Sequence, residues 1–261
     1  MTEKLPKQVQ QIINKYFNLP LDSKKVPCPY YINIKKHKQR MGLRVLVGKG
    51  TPEEIIQESL IYEKLRDVDF SKMTISEIRD FLVKRHIGID CSGFVVHVLD
   101  HWLRSHNKKH LWNYIRFPKQ NLYRIFARIF RPVENISATI LTNEENTVQV
   151  KSLNNIKCGD LIRLKVPRRA KDLLDSYHVM LISEIKKENG KVISFKYIHS
   201  TREYGSEHGV REGKTIIKNP KAHLSKQEWT DEVSGKNWTL DEILADRNYS
   251  QVRRLKNAPL Y

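Results

Sequence analysis

Apolar positions recur at helical spacing in the first half of this chain and at strand spacing in the second. QVQQIINKYF near the N-terminus predicts a short helix. Thr51, Pro52 and Glu54 carry the start of another: an N-cap, a first-turn proline and a capping box. The same grammar at Thr74 and Glu77 opens a helix through about Arg85. From Cys91 to about Ser105, the residues Phe94, Val95, Val98, Leu99 and Trp102 form one apolar stripe and predict a buried helix. NLYRIFARIF predicts a further helix, with Leu122, Ile125, Phe126 and Ile129 turned inward.

The pattern changes after CGDLIRLKV. HVMLISEI and VISFKYIHS flank KKENGK and predict a β-hairpin turning at Asn189-Gly190. GKTIIKN and SQVRRLKN predict two more strands, and LRVLV predicts a short one before Thr51. Prolines on both sides of Cys28 keep VPCPYYINIKKH extended. Helices first and a largely antiparallel sheet afterwards is an α+β arrangement. Two parts are expected, an N-terminal extension over 1–74 and a main domain over 75–261 that carries a helical insert at about 106–150.

Composition narrows the function classes. No apolar run reaches the length needed to cross a bilayer, and MTEKLPKQVQQ lacks a charged-then-apolar leader, so the expected address is the cytosol. Cys28, Cys91 and Cys158 are odd in number and widely spaced, which argues against a disulfide framework or a zinc ribbon and for reduced thiols. The net charge of +18 would attract an anionic polymer such as nucleic acid, although the cations are spread through stretches such as KVPRRAKD and HNKKH. GKGT fails as a phosphate loop, since five residues separate Gly42 from Gly48 and Gly50 follows Lys49; it reads as a strand-to-helix turn.

Candidate chemistry centres on GIDCSGFVVHV. Cys91 falls in the first turn of the predicted helix, where free N–H groups and the dipole stabilise a thiolate. Asp90 opposes that ionisation, so an imidazolium is expected to supply most of the activation. His178 opens one hairpin strand and His199 closes the other, which puts both at the same end of the sheet. A Cys–His pair with a third group orienting the imidazole is the arrangement of an activated thiol nucleophile.

Asp90-Cys91-Ser92-Gly93-Phe94-Val95, then Gly159-Asp160-Leu161, His178-Val179 and Ile198-His199, resemble in order and context the NlpC family of papain-like cysteine peptidases. The resemblance covers roughly residues 75–105 and 155–215. It implies a papain-like fold, with Cys91 as nucleophile, His178 as base and His199 as orienting residue. It also makes Asp90 and Ser92 candidates for holding the substrate's free amine; Tyr177, beside His178, joins them as a candidate substrate-binding residue. The implied substrate is a cell-wall-type peptide or muropeptide, with no cofactor and no metal. Cys158 stands where the family often has proline and reads as structural. Tyr30, Tyr31 and the insert are candidates for shaping the substrate site.

Three alternatives stay open. Cys91, His178 and His199 could ligate a metal, but none has a local partner ligand; His97 and His101 share a helix face yet lack the glutamate of a hydrolytic zinc motif. A basic, non-catalytic module could bind nucleic acid through HLWNYIRFPKQNLYRIFARIFRP, where aromatics interleave with cations. An acyltransferase would use the same thiol and imidazole.

Overall fold

The computed structural model describes residues 1–32, 43–118, 129–166 and 176–260. Both capping boxes form. Thr51 caps α2 (Pro52–Leu65) and Thr74 caps α3 (Ile75–Lys84), each hydroxyl accepting from the N–H three residues on. Before them come β1 (Thr2–Lys4), the amphipathic α1 (Lys7–Phe17) and a small ribbon of β2 (Leu19–Leu21) and β3 (Lys24–Val26). The long central helix α4 (Cys91–Asn107) follows, then two short helices, α5 (Pro132–Asn135) and α6 (Ala138–Thr142).

The sheet is built from β4 (Thr147–Gln149), β5 (Leu161–Val166), β6 (Ser176–Glu188), β7 (Lys191–Thr201), β8 (Gly209–Ile216), β9 (Glu228–Trp229) and β10 (Gln251–Leu255), with α7 (Trp238–Ala245) between the last two. Its order is β4-β10-β5-β6-β7-β8-β9, every ladder antiparallel, and β1 adds to β6. The molecule is therefore α+β, with seven helices among the described residues. Asn189 and Gly190 both take positive φ, 48° and 75°, as the tight turn between right-twisted strands requires.

The N-terminal segment belongs to the same core as the rest. β1 pairs with the far end of β6 (Thr2↔Lys186), taking up the edge where β5 stops at Leu161↔Leu181. Val9 and Tyr16 of α1 are buried in the hydrophobic cluster that also holds Phe94 and Leu99 of α4 and Ile182 of β6. Tyr16 and Phe94 meet edge to face, with ring centroids 5.3 Å apart at 85°, a favourable aromatic geometry. The sequence boundary at residue 74 thus falls inside one continuous core. The 106–150 stretch likewise supplies the edge strand β4 and the buried Leu111, Ile136 and Leu141.

Two expectations are corrected. LRVLV is a 3-10 turn (Arg44–Val47), not a strand. Its backbone groups bond locally, Leu46 N to Leu43 O and Gly48 N to Val45 O, so no ladder forms beyond a bridge between Lys49 and Ile89. In NLYRIFARIF, residues 121–128 lie outside the described residues, and Ile129 is 66% exposed rather than turned inward. Among the described residues no helix is long and apolar enough to cross a membrane.

Candidate active site

The site arises where two strands part. β6 and β7 pair from Glu188↔Lys191 to Leu181↔Ile198, and no pairing follows although both strands run on. Beyond that point β6 stays with β5 (Leu164↔His178) and β7 with β8 (His199↔Arg211). The start of α4 meets both strands there. Ser200 Oγ donates to Ile89 O at 2.7 Å, and the Cys91 thiol faces Tyr177 O at 3.9 Å. The Val179 N–H also points at the sulfur, so its two backbone neighbours bracket His178.

His178 and His199 span the gap. His178 Nε2 and His199 Nδ1 lie 2.8 Å apart, in nearly perpendicular rings. Both are buried, as is Cys91. Burial pushes the thiol up to about 12; Asp90 pushes the same way, while Lys49 and the Val179 N–H oppose. Burial, with His199 and the Arg202 charge, holds His178 well below the usual histidine range. Burial and Arg211 bring His199 down to about 3. Burial therefore favours a neutral thiol at Cys91 and a neutral imidazole at His178. Desolvation, the largest cause at each group, thus works against both the thiolate at Cys91 and the imidazolium expected at His178.

Asp90 and Ser92 are engaged elsewhere. Asp90 Oδ1 accepts from the Gly93 N–H at 2.6 Å, capping α4, and from Lys49 Nζ at 2.9 Å. Lys49 Nζ also donates to Ser92 Oγ, and lies 3.3 Å from Ile136 O. Both ends of the ion pair are 7% exposed. Gly93 permits this approach: a Cβ there would sit 2.7 Å from Gly48 O and 3.0 Å from Lys49 Cδ. A substrate amine would meet an aspartate already matched by an internal ammonium. Tyr177 turns its ring against Tyr249, with centroids 5.1 Å apart, and offers its carbonyl to Cys91.

Other candidates separate. Tyr30 is near Cys91 and Asp90, whose charges join burial in raising its phenol. Tyr31 packs against His86, 5.3 Å between centroids. His97 is buried with Nε2 2.8 Å from Lys49 O, while His101 is exposed, so the two do not converge. Among the described residues no group of three or more His, Cys, Asp or Glu is placed to hold a metal ion. Cys158 is buried and its thiol faces Glu3 O at 3.5 Å. A groove of about 660 Å³ between α1 and the sheet is lined by Lys7, Gln10, Phe17 and Ile198 and does not include Cys91.

Sequence reasoning missed two residues. Lys49 was visible only as part of a failed phosphate loop. Asp231 carries no motif; it is buried behind His199, with Oδ2 3.9 Å from His199 Nε2. No family model, curated protein or solved structure matches this chain.

Proposed function

We propose that this protein is a papain-like cysteine hydrolase of the NlpC type, cutting an amide bond in a cell-wall-type peptide. The observation that carries the reading is the imidazole pair at 2.8 Å, on strands whose backbone on either side of His178 meets the thiol of a cysteine in the first turn of a buried helix. His178 Nε2 is taken by His199, which leaves Nδ1 as the ring nitrogen available to the thiol. The proton passes from Cys91 Sγ to His178 Nδ1 as the sulfur attacks the carbonyl carbon, so charge forms during the step rather than before it. With the Gly93 N–H held by Asp90, the Cys91 and Ser92 N–H groups at the start of α4 are the ones that suit the developing oxyanion. His178 returns the proton to the leaving amine, giving a thioester on Cys91. Water then releases the acid, with His178 again taking and returning a proton.

The Lys49–Asp90 pair supports substrates that bring no free amine to Asp90, meaning internal peptide bonds. The test uses peptidoglycan stem peptides with free and blocked amino ends, with intact-protein mass spectrometry for the acyl group and chromatography for products. Cleavage and a Cys91-bound acyl group are expected in the wild type. Cys91→Ala and His178→Ala should lower turnover by at least about 10³-fold. Equal turnover in Cys91→Ala and wild type would sink the reading, and transfer of the acyl group to an added amine would convert it to an acyltransferase.

A further inference from the structure

We propose that Asp231 is a positioning residue for the nucleophile's base, acting through His199 to fix which nitrogen of His178 is free. The inference rests on the hydrolase reading and adds a residue to it. Only one hydrogen fits between His178 Nε2 and His199 Nδ1, and it can belong to either ring.

If His178 donates, its Nδ1 is bare and can take the thiol proton, and the hydrogen of His199 sits on Nε2. If His199 donates, His178 must carry its hydrogen on Nδ1 and cannot accept a proton there. His199 Nε2 would then aim a lone pair toward Asp231. The choice at His199 thus decides the competence of His178.

The surroundings of His199 favour the first arrangement. Its Nε2 is buried, has no hydrogen-bond partner among the described residues, and lies 3.9 Å from Asp231 Oδ2. A carboxylate attracts an N–H and repels a lone pair, and water is excluded from this face. Asp231 is itself fixed. Oδ2 accepts from Tyr204 Oη at 2.9 Å, Thr239 Oγ1 at 3.1 Å and Tyr197 Oη at 3.2 Å, and Oδ1 accepts from Arg211 Nη2 at 2.6 Å. The Arg211 guanidinium lies over the Tyr204 ring, 3.6 Å from its centroid, and engages the oxygen away from His199. The Tyr197 ring stands edge-on to the His199 imidazole at 5.6 Å. Asp231 is the carboxylate paired geometrically with this imidazole; the cations acting on the two rings are Arg202 on His178 and Arg211 on His199.

The test is ring-¹⁵N NMR of histidine-labelled protein without substrate, paired with the rate of Cys91 acylation by a cleavable peptide. Wild type should show hydrogens on Nε2 of both His178 and His199. Asp231→Asn should populate Nδ1–H at His199 and slow acylation by roughly 10- to 100-fold at unchanged KM. Arg211→Gln, which keeps the carboxylate, should leave the tautomers as in wild type. A wild-type hydrogen on His199 Nδ1 overturns the proposal, even if Asp231→Asn does not fold. Unchanged tautomers in a folded Asp231→Asn overturn it too, as does a shift seen only in Arg211→Gln. The expected tautomers in a protein whose Cys91 no peptide acylates would uphold the Asp231 assignment and remove the hydrolase reading, so the two fail separately.

Discussion

Two buried carboxylates flank the strand opening, and their surroundings differ. Asp90 meets an ammonium and a helix N-terminus: Lys49 Nζ at 2.9 Å, the Gly93 N–H at 2.6 Å and the Ser92 hydroxyl at 3.1 Å all converge on Oδ1. Asp231 meets three hydroxyls and a guanidinium, and beyond them an imidazole nitrogen without a hydrogen-bond partner among the described residues. A buried carboxylate matched by a full positive charge is committed to structure, because breaking the pair strands the other charge. Asp231 also carries a cation, but on Oδ1; its other oxygen, held by hydroxyls, faces an imidazole that can change protonation. Asp90 therefore acts on the fold, and Asp231 on the proton balance of the site.

The largest effect should come from the first carboxylate. Asp90→Ala leaves the Lys49 ammonium buried and unmatched and should cost about 3–5 kcal/mol in urea unfolding. Adding Lys49→Met to the same chain should recover most of that loss. Equal instability of the single and double variants would show that the ion pair is not its source.

Next comes pH. In the fold His178 and His199 lie below the usual histidine value, whereas in the unfolded chain they titrate near about 6.5. Between those values the unfolded chain binds more protons, so stability falls as pH falls. Each imidazole should remove about 1.4 kcal/mol per pH unit below about 6.5. For His199 the window reaches down to about 3. Comparing unfolding at pH 7 and pH 5 in wild type and His199→Gln tests one imidazole; identical slopes in the two proteins would mean that His199 titrates in the fold as it does in the unfolded chain.

The smallest effect sharpens the second carboxylate. Tyr204→Phe removes one of the hydroxyls on Asp231 and the acceptor of the Thr239 N–H at the start of α7. Arg211, Tyr197 and Thr239 remain. A loss of about 0.5–1.5 kcal/mol is expected by calorimetry, with the histidine tautomers unchanged. A tautomer shift in this variant would make the phenol, not the carboxylate charge, the group that His199 senses.

The sequence by itself determined what short spacings encode. Capping boxes at Thr51 and Thr74 act over three residues, and the Asn189-Gly190 turn places His178 and His199 at one end of a hairpin. Cys91 at the start of α4 was legible for the same reason, since an apolar stripe beginning after a polar turn announces a helix entry. The tertiary structure alone decided the electrical state of the site. Lys49 reaches Asp90 across 41 positions of sequence, from the segment that sequence read as a strand-to-helix turn, and Asp231 comes up behind His199 from beyond β9. No periodicity records which charges a fold brings together, or how much water it removes from them. Those two quantities leave the thiol and imidazole neutral at rest, and only the packed chain fixes them.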